Sequence, residues 1–315
     1  AARAQGGATT VPIAGHFRTG YNMNQSQVVI VGCGYVGRRV ALAYLEQGVS
    51  VLGVVSSRTS ADALAAAGIT AIPRDLASEE LGDLPFADAK LFHFAPPPGR
   101  GLEDHHTRRL ASAFDRAGQP ARLVYISTTG VYGDCQGAWV DESWPPRPAA
   151  GRARRRWDAE QTLRQWARAA GRQLAVLRVP GIYGPGRLPL ERIRQGLPMV
   201  RAEDAPYSNR IHVDDLVAAC LAAMEGSDAT GVYNVSDGHP TTMTDYFQRI
   251  ADAAGLPRPP LISMQEADTQ LSAGMLSYMQ ESRRLTNRRL VEELGVSLRY
   301  PTLDDGLKAS LSQIK

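Results

Sequence analysis

Three glycines, Gly32, Gly34 and Gly37, stand between the apolar run Val28–Val31 and a helix-like run that ends at Gly48. Their spacing suits a dinucleotide. The first allows a tight turn, the second lets the backbone approach a pyrophosphate, and the third lets helix and strand pack closely with the helix N-terminus aimed at the phosphates. Tyr35 and Val36 complete the turn, "GCGYVG". About 20 residues further on, a NAD site usually carries an acid for the ribose hydroxyls. Here there is no acid between Glu46 and Asp62, and the strand ends "VVSSRTS". Ser56 and Ser57 can hydrogen-bond a phosphate and Arg58 can pair with it, which favours NADP over NAD. The alternative for Arg58 is a solvated loop arginine.

Other reactive residue types are sparse. Cys33, Cys135 and Cys220 are far apart and lack metal-ligand spacing. They read as reduced residues in or near a core, with one reactive thiol as the lesser alternative, and no metal site is expected. His93 lies in an apolar run, where a core or near-cofactor place is favoured over catalysis. His105 and His106 read as exposed at a helix start. The stretch "GRARRRWDAEQ" puts Arg152, Arg154, Arg155 and Arg156 at another helix start. Cations there oppose the helix dipole, which points to an anionic contact, against the plainer reading of a solvated basic face.

The elements that must position these residues alternate between strand-like and helix-like runs. Strands are expected at Val28–Val31, Val49–Val55, Ile69–Ile72, Lys90–Ala95, Arg122–Ser127 and Gln173–Val179. Helices are expected at Val36–Gln47, Ser60–Ala67, Glu103–Ala117 and Trp157–Ala170, each followed by glycine. That is the pattern of an α/β fold, a Rossmann-type doubly wound parallel sheet. After Pro180 the rhythm breaks. The expected organisation is a dinucleotide domain over 23–180, completed by parts of 205–240, and a smaller discontinuous substrate lobe from 181–204 and 240–315. Residues 1–22 contain no acid and lack periodicity. They read as an upstream extension, with Met23 as the natural start, and not as a secretory signal. The 315 residues are 43% hydrophobic and 21% charged, with a net charge of +3. That is ordinary for a soluble protein, too weakly basic to argue for nucleic acid, and without a membrane-length apolar run.

The motifs taken together resemble the extended short-chain dehydrogenase/reductases, the group of NAD(P)-dependent epimerases and dehydratases. Besides "GCGYVG", the chain carries "RDL", "LFHFAPPP", "ISTTGVYG", "LRVPGIYGPG", "RIHVDDLVAA" and "GVYNVSDG" in the family's order. The resemblance implies that Asp75 and Leu76 meet the adenine and that Phe94, Ala95, Pro96 and Pro97 line the cofactor. It places Pro180 and Ile182 beside the nicotinamide. It makes Thr128 the catalytic hydroxyl and puts Tyr132 in the substrate strand. Arg187 and Arg210 become candidates for an anionic substrate. The family's Tyr-x-x-x-Lys pair falls on Arg152 and Arg156, so the chain resembles the atypical branch that lacks the pair. Arginine is a poor proton carrier near neutral pH. Arg156 is then expected to hold the cofactor ribose and Arg152 to meet substrate oxygen.

The function implied is an NADP-favouring oxidoreductase or epimerase-like enzyme of the cytoplasm. Its substrate would be small, polar and anionic, such as a nucleotide sugar, with its proton passed by water, Asp134 or Glu142. The alternative is a dinucleotide-binding or sensing protein without chemistry. A homodimer is expected through the helices at Glu103–Ala117 and Trp157–Ala170, with Trp157, Leu163 and Trp166 lining the seam or facing the sheet.

Overall fold

Strand β1 (Val28–Val31) is buried along its whole length, which a parallel sheet covered on both faces requires. The computed structural model describes residues 27–312; the extension and the start at Met23 lie outside them. Six further strands join β1: β2 (Val51–Val55), β3 (Thr70–Pro73), β4 (Lys90–His93), β5 (Arg122–Thr128), β6 (Gln173–Val179) and β7 (Gly231–Asn234). Their order across the sheet is β7-β6-β5-β4-β1-β2-β3, and every pairing is parallel. The order reverses between β1 and β4, which opens a crevice at the strands' C-terminal ends.

Helices cover both faces. On one side α1 (Tyr35–Leu45) packs with α5 (Val213–Glu225), burying Val40, Tyr44, Leu216 and Cys220 against Val28 and Ile30. On the other, α3 (His105–Ala117) and α4 (Gly151–Ala170) bury Leu110, Phe114 and Leu163 against Val29, Leu91 and Tyr125. Helix α2 (Arg58–Ala65) connects β2 to β3. The sequence points to α4 beginning near Trp157, but it begins six residues earlier, at Gly151. Arginine is a good helix former, so nothing in the run stops it short of Pro148.

The residues expected to line a dimer seam face inward or sideways within this chain. Leu163 is fully buried, Trp166 stacks 5.1 Å from Phe114, and Trp157 lies beside the guanidiniums of Arg164 and Arg178.

After β6 the chain leaves the sheet, returns through α5 and β7, and leaves again. The segments outside the sheet build a separate core from Tyr183, Ile193, Met199, Ile250 and Leu307, centred on helix α6 (Met243–Ala254). No helix among the described residues is long and apolar enough to cross a membrane.

Candidate active site

The glycine turn is shaped by close approach. Gly32 has φ +88°, and a Cβ there would lie 2.2 Å from the Ala95 nitrogen, so any side chain would push β1 and β4 apart. A Cβ on Gly37 would meet Gly32 O and Ile30 Cγ2 at 3.0 Å, which holds α1 tight on β1. A Cβ on Gly34 would meet nothing within 4 Å. Helix α1 also lacks a side-chain cap and has no acid in its first turn. Its free amides and positive dipole end therefore face the crevice, as an anion such as pyrophosphate needs.

The crevice, ≈ 620 Å³, is lined by Gly32, Gly34, Tyr35, Val36, Gly37, Ser56, Asp75, Leu76 and Phe94–Pro97. All of these were expected from the sequence. Cys33 also lines it, and burial pushes its thiol up to about 12, which disfavours the thiolate. His106 joins the lining, its Nδ1 3.2 Å from Pro96 O, where exposure was expected.

The phosphate contacts expected from the sequence divide, with Ser56 in the crevice lining and Ser57 and Arg58 outside it. Arg58 points into solvent with its side chain 80% exposed, 3.2 Å from Asp62, and Ser57 is taken up as the cap of α2. Neither lines the crevice; Ser60 and Arg74 do.

Beyond Pro97 the crevice opens into a second chamber of ≈ 580 Å³, and Pro97, Arg156, Ile182 and Arg187 line both. Pro180 lies on the chamber side. Thr128 reaches the chamber from the end of β5 and accepts a hydrogen bond from Gly130 N at 3.2 Å, which leaves its O–H to donate. Arg152 and Arg156 are one turn apart on α4 and both face inward. Arg156 donates to Ala95 O at 3.3 Å, to Ile126 O at 3.0 Å and to Tyr125 Oη at 3.1 Å, locking it across the ends of β4 and β5. Arg152 donates to Ser277 Oγ at 2.9 Å and lies 4.4 Å over the Tyr278 ring.

The chamber's far wall comes from the second core. Arg210 is buried, donates to Asn209 O at 2.7 Å and sits 4.2 Å over the Tyr246 ring. Among the described residues it has no carboxylate at ion-pair distance, and burial draws its pKa down from the usual guanidinium value. It remains a cation held out of water. Arg187 lies 4.6 Å over the Tyr35 ring. Arg283 also lines the chamber, paired with Glu281 at 2.9 Å. Among the described lining residues, Glu281 is the one carboxylate facing Arg152, Arg156, Arg187, Arg210 and Arg283.

Three further expectations fail here. Tyr132 is fully buried outside the chamber, with its Oη donating to Asn234 Oδ1 at 2.7 Å, and burial pushes its phenol up to about 12. It is a core residue and cannot bind substrate. Asp134 is spent on the amides of Gln136 and Ser282, and Glu142 on that of Asn234; neither lines the chamber. Sequence reasoning missed Arg74, although it opens the "RDL" motif, and Tyr246, Tyr278, Glu281 and Arg283, which lie in no motif it read.

A family description, the NAD dependent epimerase/dehydratase family, matches residues 103–236, the span that holds Thr128, Arg152, Arg156 and Arg210. A conserved protein of unknown function from Silicibacter pomeroyi is 33% identical over 92% of this chain and 99% of its own, with a TM-score of 0.80. The chain belongs to the NAD-dependent epimerase/dehydratase family. Among curated proteins of similar sequence is Protein YeeZ of Escherichia coli K12, 26% identical over 87% of this chain and 96% of that protein. The fold is shared with a UDP-glucuronic acid 4-epimerase from Bacillus cereus, solved with UDP-glucuronic acid and NAD. That enzyme is 18% identical over 92% of this chain and 100% of its own, with a TM-score of 0.73.

Proposed function

We propose that this epimerase/dehydratase-family protein is an NAD(P)-dependent oxidoreductase, of epimerase or reductase type, acting on a small polar anionic substrate. A nucleotide sugar is the favoured class, and NADP the favoured cofactor. One observation carries the reading: the dinucleotide crevice opens directly into a chamber with five inward-facing arginines. A bound nicotinamide supplies hydride acceptance or donation at C4. Gly32, Gly34 and the start of α1 would hold the pyrophosphate, and Asp75 and Leu76 the adenine end. Arg156 takes the ribose side and Arg152 the substrate-oxygen side, with Thr128 donating a hydrogen bond to the reacting oxygen. Arg210 and Arg187 meet the anionic group. Guanidiniums do not exchange protons near neutral pH, so Glu281 or water carries the proton that accompanies the hydride.

The cytoplasm is the proposed location, since three buried, unpaired cysteines suit a reducing compartment. A homodimer also remains proposed, and light scattering at micromolar concentration reads it directly.

The test is turnover of NADPH or NADP with UDP-sugars, aldehydes and ketones, followed in Arg210→Ala. We expect KM for an anionic substrate to rise about tenfold or more, the cost of losing a charged hydrogen-bond partner, with cofactor affinity unchanged. Tight cofactor binding without turnover across the panel would favour a dinucleotide-sensing protein instead.

A further inference from the structure

We propose that Arg74, just beyond the end of β3, is the residue that reads the 2′-phosphate of NADP. The assignment rests on the NADP reading above and moves the selecting charge from β2 to its neighbour in the sheet.

Register makes the case first. β2 and β3 pair in parallel with Val55 beside Pro73, and the Arg74 amide donates to Val55 O at 2.7 Å. Arg74 is therefore tied to the end of β2, next to Ser56. In this fold the residue at the end of β2 usually meets the adenosine ribose. A side chain one strand over, at the same level, reaches the same place. Arg74, Ser56 and Ser60 all line the crevice at this corner.

The guanidinium is also prepared for a second partner. Asp83 holds Nη2 at 2.6 Å, while Nε is buried with no hydrogen-bond partner among the described residues. An arginine offers five N–H donors in a rigid fork, so an ion pair through one nitrogen leaves the others for a phosphate. The Arg74 side chain is 28% exposed, so the donors that Asp83 does not take stay within reach of a ligand in the crevice.

The neighbouring acid does not oppose this. Asp75 lines the same wall, but its Oδ1 accepts from Ala77 N at 3.0 Å and its Oδ2 from Ser78 Oγ at 2.6 Å. With both oxygens turned into that loop, it is not presented to a ribose as the acid of a NAD site would be. Ser56 and Ser60 add hydroxyl donors suited to a phosphate monoester.

The experiment is calorimetric titration of full-length protein with NADP, NAD, adenosine 2′,5′-bisphosphate and AMP. The variants are Arg74→Ala, Arg74→Lys and Arg58→Ala. In Arg74→Ala we expect affinity for NADP and the bisphosphate to fall about tenfold to a hundredfold, the range for hydrogen bonds to a charged group. NAD and AMP affinities should stay within about twofold, which also reports an intact crevice. Arg74→Lys should recover part of the loss, since a lysine supplies the charge without the fork. Arg58→Ala should match the wild type. A 2′-phosphate preference that survives Arg74→Ala, or a loss of NAD together with NADP, would overturn the assignment. Equal affinity of the wild type for NADP and NAD would instead overturn the NADP reading beneath it.

Discussion

His93 sits in β4 with its ring 5.2 Å from that of Tyr125 and its Nε2 2.8 Å from Thr107 Oγ1. Burial, and then the nearby Arg156 charge, push its pKa down to about 3. The folded state thus binds fewer protons there than the unfolded chain, whose histidine titrates near 6.5. The stabilisation is full above that value and is lost as pH falls toward 3, with a slope of up to about 1.4 kcal/mol per pH unit. Denaturant unfolding at pH 7.5, 5.5 and 4.5 should show this loss, and His93→Gln should flatten it. An unchanged slope in the variant would assign the acid sensitivity to other groups. The two arginines at the start of α4 divide the labour differently. Arg156→Ala should weaken NADP(H) binding, while Arg152→Ala should leave it nearly unchanged and lower turnover. Fluorescence titration beside steady-state rates separates the two, and equal effects on cofactor affinity would refute the division. The one-turn spacing of this pair was legible in the sequence because helical geometry is local. The fate of Tyr132 was not, because a motif position does not reveal whether a phenol points to a chamber or to Asn234.

Helix α4 carries both the site and a structural anchor. Glu160 is fully buried and accepts from Ser127 Oγ at 2.6 Å and from Arg178 Nη2 at 2.8 Å, joining α4 to β5 and β6. Glu160→Gln would leave the Arg178 charge buried without its counter-ion, and should cost about 3–5 kcal/mol of stability. A loss below about 1 kcal/mol on denaturant unfolding would mean that the site lets in water. The helix start behaves oppositely. Its first turn has no acid, and the arginines settle on carbonyls such as Gly101 O and Pro148 O. Arg154 is exposed there, so Arg154→Glu should stabilise the protein by about 0.3–1 kcal/mol by agreeing with the dipole. The same melting series would show it, and added salt should shrink the gain. The strands and the other helix ends were readable from apolar runs and terminal glycines. This start was not, because an arginine run looks alike in a loop and in a first turn.

Across the whole molecule, the sheet was legible and the chamber only in part: Thr128, Arg152, Arg156, Pro180, Ile182, Arg187 and Arg210 were expected from motifs, and the rest of its wall was not. Alternating strands and helices specify a parallel sheet from local pattern alone. Arg74, Tyr246, Tyr278, Glu281 and Arg283 meet the ligand space only through strand register or through irregular segments that the second core folds back. The two halves are joined at Tyr35, in the glycine turn. Its Oη donates to Pro185 O at 2.9 Å, and the Arg187 guanidinium lies over its ring. Because Arg187 lines both crevice and chamber, the loop at Gly184–Arg187 should feel ligands on either side. Cofactor and an anionic probe such as UDP should therefore bind with positive coupling, typically 1–3 kcal/mol where two sites share an element. Arg187→Ala should remove most of that coupling, whereas Tyr35→Phe keeps the ring under Arg187 and should keep most of it. Coupling is reciprocal, so titrating NADP with and without UDP, and UDP with and without NADP, must give the same factor. Independent binding in the wild type would mean that the loop is rigid and that the halves share a wall without sharing energy.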